Sequence, residues 1–204
     1  GRHGGAISIE DNIVLNKSLF IDNTADSKGG GIYLALTSAT IYNNTFYNNV
    51  AEYGGGIATY ESSAAIINTI LWNDSSTTND DEIYHSGSST PVVTYSDIEG
   101  GYTGTGNINS DPLFVDADAE IFYLMGASPC IDAGDPDLDG DGTTWENDED
   151  DQEEDGTRMD IGAFNYIGPD TVAPTVQILS PNGGENLGTG EAATFEWDAK
   201  DNGV

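Results

Sequence analysis

Four aspartates at alternate positions, Asp135, Asp137, Asp139 and Asp141, followed by Glu146, form the most ordered set of possible metal ligands in the sequence. Residues 135–146 satisfy the D-x-D-x-D-G-x5-E pattern of a calcium loop at every required position. Carboxylates at loop positions one, three and five, a turn-forming Gly140, a backbone carbonyl at Asp141 and a bidentate Glu146 would wrap a hard, oxygen-seeking ion. The usual setting of this loop has a helix on each side. Here Gly134 precedes it and a charge run follows, so a loop without helices is expected, holding Ca2+ with the weak affinity of extracellular modules, ~10⁻⁴ to 10⁻³ M. The run Asp148-Glu149-Asp150-Asp151 offers ligands for a second ion, but a bare acidic run defines no site. The plainer reading of the region is a solvated acidic loop with no fixed ion.

The rest of the chain must position that loop, and its composition narrows how. The 204 residues carry 36 acidic and 5 basic side chains, a net charge of −31. Such a charge repels nucleic acid and anionic membrane surfaces and makes divalent cations the natural partners. Fourteen of the acidic residues lie between Asp132 and Asp160, with Arg158 the only basic one. No apolar run approaches the ~18 residues of a membrane span. The lone cysteine, Cys130, sits between Ser128-Pro129 and Ile131 and reads as a small buried residue. The first residues already belong to a repeat, so the chain reads as a segment of a longer protein.

That repeat decides the fold class. Gly4-Gly5-Ala6-Ile7, Gly29-Gly30-Gly31-Ile32 and Gly54-Gly55-Gly56-Ile57 recur at intervals of 25, and Ile83 follows Ile57 after 26 without the glycines. A second anchor recurs between them: Phe20-Ile21-Asp22-Asn23, Phe46-Tyr47-Asn48-Asn49, and Leu71-Trp72-Asn73-Asp74. Each unit contains short alternating segments such as Ile32–Leu36 and Ala39–Tyr42, and none carries a helical stripe. A unit this small buries its apolar face only by stacking on its equivalents. The expected fold is all-β, a right-handed parallel β-helix, or solenoid, over 1–167. Ile7, Ile32, Ile57 and Ile83 would form one inward stack and Phe20, Phe46 and Leu71 another, with Asn23, Asn49 and Asp74 at a shared corner. The apolar runs at 91–95, 112–115 and 121–124 are expected to be the last turns of the coil.

The Phe-x-x-Asn and Gly-Gly-x-Ile pair, over residues 4 to 74, resembles the repeats of the polymorphic outer-membrane protein family of surface β-helices. The stretches Tyr95–Gly101, Asp111–Phe114, Ser128–Gly134 and Asp160–Phe164 resemble the C-terminal region of bacterial secreted β-helix proteins of the choice-of-anchor class. The first resemblance implies a secreted or surface-displayed protein with an adhesive or structural role and carries over no catalytic site, and the second implies a large extracellular protein.

After Gly168-Pro169-Asp170-Thr171-Val172-Ala173-Pro174, which has linker composition at 168–174, the sequence changes character. Thr175–Leu179, the turn Ser180–Glu185 and Ala193–Trp197 resemble the start of an Ig-like β-sandwich module over 175–204, truncated because a complete sandwich takes ~100 residues.

Two functions are therefore expected to compete. The first is a noncatalytic extracellular or cell-surface scaffold or adhesin module, stabilised by calcium, with a polysaccharide or other surface glycan as partner. The alternative is a polysaccharide lyase or glycoside hydrolase of the same fold, its groove partly outside this segment. A lyase needs a base beside the substrate, and Arg2, Lys17, Lys28 and Arg158 are the few candidates. A hydrolase needs two carboxylates facing each other across a groove, and no spacing here marks such a pair, so no catalytic residues are assigned. Tyr33, Tyr47, Tyr60 and Trp72 have two readings: an outward strip for stacking on sugar rings, or cross-strand packing.

Overall fold

The structure is a computed structural model that describes residues 1–78, 81–166, 168, 175–180 and 196–200. The chain divides into two compact units, Gly1–Tyr166 and Ile167–Val204. Among the described residues the only helical pieces are three short 3-10 turns, and no helix is long and apolar enough to cross a membrane.

The first unit is built on a parallel β-solenoid. Its strands are two to four residues long because each apolar residue that faces inward is soon followed by a corner. One four-stranded sheet stacks Ile7–Ile9, Ile32–Ala35, Ile57–Tyr60 and Ile83–Ser86. A second stacks Val14–Asn16, Thr40–Tyr42, Ala65–Ile67 and Val92–Thr94, and a third stacks Leu19–Ile21, Thr45–Tyr47, Ile70–Trp72 and Asp97–Ile98. The register matches the repeat: Ile7 pairs with Ile32, Ile32 with Ile57 and Ile57 with Ile83. Phe20 pairs with Phe46, Phe46 with Leu71, and Leu71 with Ile98. These side chains share one core with Ile41, Ile66 and Val93. The Phe20 and Phe46 rings stack at 4.6 Å between centroids.

Left-handed corners explain the composition. Lys17, Asn43, Asn68 and Tyr95 hold one corner with φ between 45° and 53°, and Asp22, Asn48 and Asn73 hold another near 55°. Asparagine tolerates this region better than most residues because its amide bonds locally. At the third corner Gly29 and Gly54 have φ of +67° and +61°, and a Cβ on Gly29 would lie 2.1 Å from the Ile32 carbonyl oxygen. Leu36, expected to continue its strand, instead turns left-handed at φ 55° and is exposed.

The coil ends earlier than the sequence suggests. Val92–Thr94 joins it, but Phe114–Asp116 and Ile121–Leu124 pair antiparallel with one another and are not further turns. Only 117–120 connects them, too short for a parallel crossover. The Asp116 carboxylate closes the connection by accepting the Ala119 N–H at 3.1 Å. This hairpin and the chain to Tyr166 lie on the outer face of the third sheet. Ile70, Leu124, Cys130 and Ile161 form a second core there, and Tyr47 packs edge-on against Phe114 and Phe122. Tyr47 and Trp72 are thus packing residues, not members of an open aromatic strip.

In the second unit Thr175–Ser180 and Glu196–Lys200 pair antiparallel. The rest of the expected sandwich and, apart from residue 168, the expected linker lie outside the described residues.

Candidate metal centre

The acidic loop hangs from one solenoid corner. Asn68, held left-handed, accepts the Asp135 N–H on its Oδ1 at 2.6 Å and the Gly162 N–H on its carbonyl at 2.8 Å. Gly134 N–H donates to the Met159 carbonyl at 2.8 Å and closes the loop's base. Within the loop the carboxylates bend the backbone around themselves. Asp135, Asp139 and Asp141 each accept the N–H two residues on, at 3.2, 3.0 and 2.6 Å, the turn that a short acidic side chain makes with its own backbone. Asp137 accepts the Gly142 N–H at 3.1 Å.

Ligand-capable oxygens converge in two places. Asp137, Asp139 and Asp151 bring one carboxylate oxygen each within 4.8 Å of one another, and so do Asp139, Asp141 and Asp148. Asp135 and Glu146 stand in neither group. Asp135 caps Asp137, and Glu146 Oε2 accepts the Thr144 hydroxyl at 2.6 Å. Of the five ligands expected from spacing, Asp139 therefore joins Asp137 in one group and Asp141 in the other, and the third oxygen of each comes from the acidic run. Two 3-10 turns, Trp145–Asn147 and Glu149–Asp151, fold that run back onto the loop. The Gln152 amide fixes the turn by donating to the Trp145 carbonyl.

Asp151 is the distinctive member. It is fully buried, its Oδ1 accepts the Leu138 N–H at 2.7 Å, and its Oδ2 is enclosed without a hydrogen-bond partner. Burial pushes its carboxyl above the ordinary value, against the N–H groups of Leu138 and Asp139, which favour the charged form. Burial likewise raises Asp135, opposed by the Asp137 N–H. Asp148 is raised to about 6, chiefly through its contact with the Asp150 carboxyl. A cation among these oxygens would reverse each effect.

Beside Asp139 and Asp151 a cleft of about 430 Å³ opens against the solenoid, lined by Lys17, Tyr42, Asn43 and Ile67 on the coil side. The other basic candidates sit elsewhere: Lys28 lies over the rings of Tyr60 and Tyr84, and Arg158 over that of Tyr95. Cys130 is buried, and its thiol donates to Asp97 Oδ2 at 3.2 Å.

Among known proteins, residues 17–35 match the family model of the Chlamydia polymorphic membrane protein repeat. This stretch holds the Phe20–Asn23 anchor and the Gly29–Ile32 turn. No curated protein and no solved structure matches the chain.

Proposed function

We propose that this chain is part of a noncatalytic extracellular or cell-surface module, a β-solenoid whose acidic loop binds calcium and whose adjoining cleft takes a glycan. Similarity to a membrane-protein repeat supports the surface setting. The observation that carries the calcium reading is the convergence of Asp137, Asp139 and Asp151, the last of them a buried carboxylate with one oxygen that has no hydrogen-bond partner. Three carboxylates this close repel one another, and a hard cation is the counter-charge that oxygen ligands of this kind select. The cleft supports the glycan partner, because Tyr42 and Lys17 line it beside Asp139 and Asp151.

The test is a melting curve in calcium and in chelator. With a Kd of about 10⁻⁴ M, about 10 mM calcium adds about 2.7 kcal/mol, which raises Tm by roughly 5 to 10 °C in a domain of this size. Asp139→Asn, which weakens both oxygen groups, should lose most of that shift. An unchanged Tm in calcium would overturn the metal reading. Turnover of a polysaccharide by this chain would overturn the noncatalytic one.

A further inference from the structure

The fourth turn of the solenoid departs from its own repeat. Gly31 and Gly56 precede Ile32 and Ile57, whereas Glu82 precedes Ile83, and Ile83 pairs in register with Ile57. The corner has no space for a side chain in the third turn: a Cβ on Gly56 would lie 2.6 Å from Asp74 Oδ2 and 2.9 Å from Leu71 Cδ2. One turn later the same corner position carries a glutamate. Its carboxylate turns back onto Asp74, and Glu82 Oε1 accepts the Asp74 N–H at 3.2 Å.

The asparagine column shows what this arrangement lacks. Asn23 donates through both its backbone N–H and its side-chain amide to Asn49 Oδ1, at 3.0 and 2.9 Å. Asn49 repeats the pair of bonds to Asp74 Oδ1, at 2.6 and 2.8 Å. At the next step the backbone bond persists, from Asp74 N–H to Glu82 Oε1. The amide does not, since the place of the donating nitrogen is taken by Asp74 Oδ2. Asp74 Oδ2 and Glu82 Oε2 are both enclosed with no hydrogen-bond partner, and each residue is only 5% exposed. Two acceptors meet where the column calls for a donor.

Both residues line one cleft of about 360 Å³, together with Asn48, Asn73, Asp81 and Glu99. Every ionisable residue of that lining is acidic. Glu99 Oε2 is held by the Asn73 N–H at 2.6 Å and Asp81 Oδ1 by the Ser76 N–H at 2.7 Å.

We propose that Asp74 and Glu82 bind a hard divalent cation, Ca2+ or Mg2+, at this corner of the fourth turn, separate from the acidic loop. The ion takes the role of the missing donor by accepting electron pairs from Asp74 Oδ2 and Glu82 Oε2. A single proton between the two oxygens would also join them, but it leaves the Asp81 and Glu99 charges beside a buried negative pair. A divalent ion offsets that charge as well. With two buried carboxylates as its anchors, the remaining positions fall to water in the cleft, the mode of an ion that keeps part of its hydration shell.

Equilibrium dialysis and calorimetry of the full chain with calcium alone and with magnesium alone test this. The wild type should bind one more ion than Asp74→Asn or Glu82→Gln, and Asp139→Asn, which alters the acidic loop, should keep that ion. Asp74→Asn restores the amide of the column, so it should melt in chelator no lower than the wild type while having lost the ion. Equal stoichiometry for calcium and for magnesium in wild type, Asp74→Asn and Glu82→Gln overturns the proposal and leaves the pair joined by a proton. Loss of ions in Asp139→Asn bears only on the loop, so the two sites fail independently.

Discussion

Replacing Asn49 by alanine tests the interior column most directly. Asn49 is fully buried. Its Nδ2 donates to the Phe20 carbonyl at 2.9 Å and to Asp74 Oδ1 at 2.8 Å, and its Oδ1 accepts from Asn23 N–H at 3.0 Å and Asn23 Nδ2 at 2.9 Å. Asp74 Oδ1 keeps the Asn49 backbone N–H in the alanine variant, so its loss is partial. The Phe20 carbonyl and the Asn23 N–H lose these partners inside the coil. Each such stranded group costs about 1 to 3 kcal/mol, and the sum, about 2 to 6 kcal/mol, is a large share of the ~5 to 15 kcal/mol that holds a domain together. The neighbouring Asn48 is the comparison: its amide meets the exposed Asp22 carboxylate, and because it stands at φ 55° its alanine variant should lose only about 1 kcal/mol, the strain of a left-handed alanine. Urea denaturation followed by circular dichroism compares the two midpoints. In a stack of repeats the damage can also appear as a loss of cooperativity, so hydrogen exchange at the Asn23 and Val50 amides should be read alongside. If Asn49→Ala and Asn48→Ala are equally stable by both measures, the column does not carry the load assigned to it.

Two further outcomes follow from buried groups. Burial lifts the Asp97 carboxyl from 3.8 to about 6, against the Ser110 N–H and Cys130 S–H that favour its charged form. The folded state therefore binds this proton more tightly than the unfolded chain, and stability should fall by about 3 kcal/mol as pH rises from about 4 to about 6. Asp97→Asn should remove that part of the slope in urea melts across the range, and an unchanged slope would contradict the assignment. Phe46 is fully buried between Phe20 and Leu71, so Phe46→Ala should lower unfolding free energy by about 3 to 5 kcal/mol, measured the same way. A loss below about 1 kcal/mol would mean that the stack collapses onto the space.

The solenoid was legible because its unit is nearly constant in length. Spacings of 25 and 26 between Ile7, Ile32, Ile57 and Ile83 fix which residues pair, and the same arithmetic places Asn23, Asn49 and Asp74 in one column. Beyond the fourth turn the sequence loses that anchor. The runs 112–115 and 121–124 alternate as coil strands do, and alternation alone does not separate a parallel neighbour from an antiparallel one. The short connection between Phe114–Asp116 and Ile121–Leu124 was the available signal for a hairpin. The calcium spacing pointed to Asp137, Asp139 and Asp141, whose carboxylates fall in the two acidic groups of the loop. It gave no sign of the 3-10 turn that takes in Glu146 itself. That turn leaves Glu146 on Thr144 and lets Asp148 and Asp151 reach the oxygens of the loop. Glu82 was hidden for another reason: the repeat made the glycines before isoleucine conspicuous, and their replacement looked like decay of the pattern.

The second core ties the acidic loop to the coil more closely than a surface attachment would. On the strand Ile70–Trp72, Leu71 points into the solenoid core while Ile70 points into the core beneath the closing segment. Neighbouring residues of one short strand thus belong to two apolar clusters, and the strand cannot leave its sheet without opening both. Asn68, just before it, adds a polar link: it forms a left-handed solenoid corner, its N–H bonds the Thr94 carbonyl of the next turn, and its side chain and carbonyl anchor Asp135 and Gly162. The residues between Asp135 and Gly162 include the whole candidate metal centre. An ion that fixes this loop therefore restrains a segment whose two ends converge on one corner of the third turn. Its free energy is felt by the coil through Asn68 and Ile70, and the loop and the third and fourth turns should gain protection from hydrogen exchange together when calcium is added.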